Sequence, residues 1–146
     1  MISTDMQGLK QSYQRDGFVS GVDIINHSEA AGHRQAMEIA ESEFGPLHYK
    51  SKVHTILQSP LQLATLPVVL DIIEELIGPD ILLYNVTYIV KEVGALSHVS
   101  WHQDLTYWGL SHDDQVSMWL ALSPTTAESG CMRMIPGSYL NGHRKH

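Results

Sequence analysis

Apolar positions recur with a helical period over the first half of the chain and give way to alternating, β-branched runs over the second. Residues 5–16 place Met6, Leu9 and Tyr13 on one helical face behind Asp5, and Gly17 follows where a left-handed C-terminal cap belongs. The run SEAAGHRQAMEIAESEF predicts a second helix. Ser28 is its expected N-cap, Glu29 lies at its positive end, and Ala30, His33, Met37, Ala40 and Phe44 share a face, with Gly32 tolerated inside. The stretch through Pro46 and Pro60 reads as irregular. A third helix follows in LPVVLDIIEELIGPD, with Pro67 in the first turn and Gly78-Pro79 closing the end.

From residue 81 the period changes. ILLYNVTYIV (81–90) is rich in β-branched and aromatic residues, and alternation puts Leu83, Asn85, Thr87 and Ile89 on one face of a predicted strand. QVSMWLALS (115–123) and CMRMI (131–135) predict two more, separated by the turn-forming TTAESG, and a shorter strand spans Ser97–Trp101. Helices first and strands afterwards, without repeats or linkers, predict an α+β fold with antiparallel sheets, in one domain across 1–146.

Composition narrows the partners. Nine Lys and Arg stand against 16 Asp and Glu, and a net charge of -7 does not suit a surface that tracks nucleic-acid phosphates. Small molecules are the expected partners. The single cysteine, Cys131, cannot form an intramolecular disulfide, which fits a reducing compartment and a cytoplasmic expectation. No run approaches the roughly 20 apolar residues of a membrane span, and the N-terminus lacks the pattern of a secretion signal.

The candidate chemistry lies in Ser100-Trp101-His102-Gln103-Asp104. On an extended backbone residues i and i+2 point to one side, so His102 and Asp104 face a common point. An imidazole and a carboxylate leaving one segment, joined by a second histidine, make a 2-His-1-carboxylate triad with three open positions on iron. The competing reading is a hydrogen-bonded surface pair. His27, His33, His48, His54 and His112 lie in helix or loop contexts without a carboxylate at strand spacing and read as mostly solvated side chains.

Several blocks, in order, resemble the phytanoyl-CoA dioxygenase family of 2-oxoglutarate oxygenases. They are the helix ending Ile77-Gly78-Pro79 with the 81–91 segment, WHQDLTYW (101–108), and Gly130-Cys131-Met132-Arg133-Met134-Ile135-Pro136-Gly137-Ser138. Tyr13-Gln14-Arg15-Asp16-Gly17-Phe18-Val19 resembles the family's N-terminal segment.

The resemblance implies a partial double-stranded β-helix, a cupin-like jelly roll, with the N-terminal helices packed on it. It further implies Fe(II) bound by His102 and Asp104, and 2-oxoglutarate as cosubstrate contacted by Lys52, Thr87 and Trp119. Asn85 shares the Thr87 face, and a buried amide there needs a polar partner such as a cosubstrate carboxylate or water. Each has a plainer reading: Lys52 a solvated charge, Thr87 an ordinary strand residue, Trp119 a core aromatic. Gly130 and Pro136-Gly137-Ser138 read as backbone-shaping residues at a barrel rim. Tyr139 stands where the family usually has histidine.

The implied reaction is hydroxylation of an unactivated C–H bond of a small organic substrate by dioxygen, with succinate and carbon dioxide as co-products. Asp104 favours hydroxylation, because similar halogenases carry a small residue there. In the family the second histidine ligand and an arginine for the far carboxylate come well after the Pro-Gly-Ser block. His143, Arg144 and His146 follow it too soon for the intervening strands. About four strands stand where a closed jelly roll needs eight, so the chain reads as an incomplete domain whose open sheet edges invite self-association. The alternatives are an inactive or metal-binding fragment and, more weakly, a zinc hydrolase.

Overall fold

The computed structural model describes residues 6–95 and 98–142, in which every regular element is helical. The helices are α1 (Met6–Asp16), α2 (His27–Phe44), α3 (Gln58–Ala64), α4 (Pro67–Ile77) and α5 (Leu105–Trp108), with single 3₁₀ turns at Val53–Thr55 and Ser138–Asn141.

The three expected helices form, with their ends set by local chemistry. α1 stops at Gly17, whose φ of 81° allows its N–H to donate to the Tyr13 carbonyl at 2.7 Å. α2 begins one residue before the expected cap. Asn26, not Ser28, is the N-cap: its side-chain oxygen accepts from Glu29 N at 2.9 Å while the Glu29 carboxylate accepts from Asn26 N at 2.8 Å. α4 starts on Pro67, where a missing N–H costs nothing, and ends at Gly78 with φ 89°. α3 lies in the stretch expected to be irregular. Pro60 is only its third residue, still in the first turn, where proline fits a helix rather than breaking it.

The expected jelly roll does not form among the described residues. Among the described residues no strand forms, and an isolated parallel bridge joins His48 and Tyr88. The expected strands at 115–123 and 131–135 carry no regular structure; of the 97–101 strand, Ser97 lies outside the described residues and the remainder is irregular. The physical reason is that strand propensity supplies only half of a strand, and the other half is a neighbour offering a ladder of donors and acceptors. Segment 81–90 finds a tight turn instead. Tyr49 N donates to Tyr88 O at 3.0 Å and Val53 N to Val86 O at 3.1 Å, but between them Tyr49 and Lys52 adopt left-handed backbones (φ 58° each), which break any ladder.

The alternation read along 81–90 nevertheless survives. Val86 and Tyr88 face inward, Tyr88 joining Ala40, Leu47 and Val53 in a small core that Met37, Leu57 and Leu122 flank. Asn85 and Thr87 point the other way, onto the turn. One extended segment thus ties the helices on one side to the candidate site residues on the other.

The Pro-Gly-Ser block folds back onto α1 rather than shaping a rim. Gly137 N donates to Asp16 O at 2.8 Å and the Tyr139 hydroxyl donates to the Gln14 carbonyl. Tyr139 lies so close over Gly17 that a Cβ there would meet its ring at 2.5 Å. Gly17 is needed twice, for its backbone and for this contact.

Candidate functional site

His102 and Asp104 do come together, though not as strand neighbours. Asp104 has helical dihedrals (φ -56°, ψ -43°) and precedes α5, so the approach comes from a turn. His102 Nε2 lies 3.1 Å from Asp104 Oδ1, and His102 Nδ1 lies 2.8 Å from the Ser100 carbonyl oxygen. A carbonyl only accepts, so Nδ1 is the protonated nitrogen and donates to Ser100. Nε2 then presents a lone pair toward a carboxylate that also only accepts. Two acceptors held face to face need a shared cation, either a proton or a metal ion.

The spacing fits a metal. Two adjacent ligand atoms at right angles, each about 2.1 Å from one ion, lie roughly 3 Å apart. The Nδ1–H···O=C bond is the support that ligating histidines use to fix tautomer and ring angle. Both side chains keep an open approach, with 32% and 46% of their surfaces exposed, and the Tyr107 ring stands edge-on to the imidazole at 5.8 Å. Among the described residues no group of three His, Cys, Asp or Glu side chains is gathered to hold a metal. His143 and His146 lie outside the described residues.

Lys52, Asn85 and Thr87 form a second group. Asn85 Oδ1 accepts from Lys52 N at 2.6 Å and from Ser51 Oγ at 3.0 Å, and Thr87 Oγ1 donates to Lys50 O at 2.9 Å. The polar partner that a half-buried Asn85 demands is therefore the backbone of the turn. Lys52 is exposed, with its ammonium 5.5 Å from the centre of the Tyr84 ring. Trp119 is 44% exposed, which removes the core reading, and among the described residues no hydrogen bond or ring contact ties it to either group.

Tyr84 and Trp108 are the residues that sequence reasoning passed over. Their rings meet edge to face at 5.2 Å and 86°, connecting the Lys52 turn to the helix that follows Asp104. The signal was faint: Tyr84 precedes Asn85 on the opposite face of the segment, and Trp108 closes the WHQDLTYW block. A cavity of about 280 Å³ reaches Ser100, whose carbonyl holds His102, and is walled by His48, Val90, Lys91 and His98 among others. His48 Nδ1 accepts from Val90 N at 2.9 Å, and the Lys91 ammonium donates to the Gly130 carbonyl. Of the remaining histidines, His33 Nδ1 is 2.8 Å from Ser59 Oγ, a structural contact between α2 and α3.

Comparison with known proteins agrees with the blocks that flank this pair. The family model for phytanoyl-CoA dioxygenase (PhyH) matches residues 9–146. L-proline trans-4-hydroxylase of Streptomyces griseoviridis is 23% identical over 151 residues, covering 94% of this chain and 56% of that protein. Ectoine dioxygenase of Streptomyces avermitilis is 25% identical over 147 residues, covering 88% and 50%. Phytanoyl-CoA dioxygenase 1 of Oryza sativa subsp. japonica is 38% identical over 58 residues, covering 40% and 21%. The chain thus spans about half the length of the two relatives it matches along most of its own. No solved structure matches it. Described helices with an apolar run long enough to cross a membrane are absent. On the match over residues 9–146, this chain belongs to the phytanoyl-CoA dioxygenase family.

Proposed function

We propose that this chain supplies the His102–Asp104 part of the Fe(II) centre of a 2-oxoglutarate-dependent dioxygenase that hydroxylates an unactivated C–H bond of a small organic substrate. The observation that carries the reading is the 3.1 Å gap between His102 Nε2 and Asp104 Oδ1, with the other ring nitrogen held by Ser100 O. Bound iron would supply dioxygen activation, one oxygen atom going to the substrate hydroxyl and the other to succinate as 2-oxoglutarate loses carbon dioxide. The relatives named for proline and ectoine support a small substrate.

The chain's own residues have separable tasks in this reading. Ser100 O fixes the imidazole so that Nε2 is free to coordinate, and Asp104 offers a neutralising carboxylate. The Lys52 ammonium receives a carboxylate of 2-oxoglutarate. Asn85 and Thr87 serve that cosubstrate by holding the turn that presents Lys52. Trp119 offers an exposed aromatic face to the same cosubstrate.

A second reading has one observation in its favour, the lack of a third gathered ligand among the described residues. On it the chain is a metal-binding fragment without turnover, since two protein ligands hold a metal weakly. Anaerobic Fe(II) titration with assay of 2-oxoglutarate-dependent succinate release separates the two. Micromolar binding with succinate release, both lost in His102→Ala and Asp104→Ala, supports the dioxygenase. Binding without release supports the fragment, and wild-type binding no tighter than that of His102→Ala overturns the metal reading itself.

A further inference from the structure

We propose that Tyr84 is a positioning residue whose ring holds the Lys52 ammonium in a set relation to the segment carrying His102 and Asp104. Its functional half rests on the reading of Lys52 as a cosubstrate ligand given above.

Lys52 is gripped at both ends by consecutive residues. Asn85 takes its backbone N–H at 2.6 Å, and the Tyr84 ring takes its ammonium at 5.5 Å, within the range of a cation–π contact. This matters because a lysine head on a flexible four-carbon stem samples many rotamers unless something restrains it. Fixing the turn alone leaves that head free, whereas the ring restricts it.

The same ring reaches the other group. Trp108 meets Tyr84 edge to face at 5.2 Å, and Trp108 is the last residue of the helix that starts directly after Asp104. Its neighbour Tyr107 stands edge-on to His102. A continuous line of contacts therefore runs from the Lys52 ammonium through Tyr84 and Trp108 to the turn where the metal pair is formed. The Trp108 indole Nε1 is buried with no acceptor, so its N–H resonance reports the packing of that ring rather than a hydrogen bond of its own.

The first arm of the test needs neither metal nor cosubstrate. In ¹⁵N–¹H spectra of the chain, with the Trp108 indole signal assigned by Trp108→Phe, Lys52→Met is expected to move that signal. The response persists in Tyr84→Phe and vanishes in Tyr84→Leu; Tyr84→Met takes the place of Tyr84→Leu if that variant does not fold. The second arm is anaerobic calorimetry. Tyr84→Leu is expected to weaken 2-oxoglutarate binding to the Fe(II)-loaded chain about three- to tenfold, with Fe(II) affinity changed less than about twofold and Tyr84→Phe near wild type.

A Trp108 signal indifferent to Lys52→Met, or one still responding in Tyr84→Leu, overturns the positioning role. So does an equal loss of iron and 2-oxoglutarate affinity, which would mark a merely structural residue. A wild-type chain that takes up no 2-oxoglutarate sinks the cosubstrate reading of Lys52 instead, and the spectra still decide whether Tyr84 couples the two groups.

Discussion

Asn85 Oδ1 accepts the backbone N–H of Lys52 at 2.6 Å, across 33 positions of sequence. The bond holds Lys52 in a left-handed backbone (φ 58°, ψ 34°) that an L-residue with a long side chain seldom adopts. The same oxygen accepts from Ser51, so one amide organises the whole turn.

Asn85→Ala is therefore expected to destabilise the chain by about 1 kcal/mol, the net worth of a partly exposed hydrogen bond. Asn85→Asp, which keeps the acceptor, should lose less. Urea unfolding midpoints at constant slope compare the two.

Gly17→Ala is expected to cost about 2 kcal/mol, from a non-glycine residue at φ 81° together with the collision with Tyr139. Tyr139→Ala in the same chain removes the collision but not the backbone cost. A double-mutant cycle by chemical denaturation should therefore show a favourable coupling between positions 17 and 139; strict additivity would mean that the ring moves aside freely.

Asp104→Asn retains shape while removing charge. It should leave the unfolding midpoint within about 0.5 kcal/mol of wild type, as is usual for a solvent-accessible side chain. Fe(II) affinity in anaerobic titration should fall at least tenfold. Equal affinities would show that the carboxylate does not ligate.

Two phenols carry the alkaline pH dependence. Burial, and then the nearby Tyr139, push the Tyr13 hydroxyl above the ordinary tyrosine value of 10.0. Burial likewise raises Tyr88, with Ser59 opposing the shift. A raised phenol favours folding in its neutral form, so this stabilisation is fully present below about pH 10 and is lost as pH rises through the shifted values. Ultraviolet titration should show these two tyrosines ionising last, with the unfolding midpoint declining over the same range. Tyr13→Phe should soften that decline.

The helices were legible because a helix satisfies its own backbone, and Met6, Leu9 and Tyr13 or Val69 and Ile72 state its period locally. α3 was hidden in a stretch read as irregular through Pro60, although that proline occupies a first turn. The strands were misread because a strand is a relation between segments: 81–90 has the right residues, but its partner is a turn with two left-handed backbones. His102 and Asp104 were expected to converge on an extended backbone; the two side chains do meet, but through a turn in which Asp104 has helical dihedrals. Lys52 was visible only through resemblance. Tyr84 was invisible because its role depends on two distant partners, Lys52 and Trp108, that no local pattern announces.

The bond from Tyr139 to the Gln14 carbonyl spans 125 positions, nearly the whole described chain. At ribosomal speeds of about 5–20 residues per second, α1 emerges on the order of ten seconds before the residue that clasps its end exists. Until then the Tyr139 ring is missing from Gly17, and the first helix can draw on its packing with α4, including the Lys10–Glu75 ion pair at 3.0 Å. The clasp is thus the last stitch of this part of the molecule, and it closes only after the turn that carries His102 and Asp104 has been made.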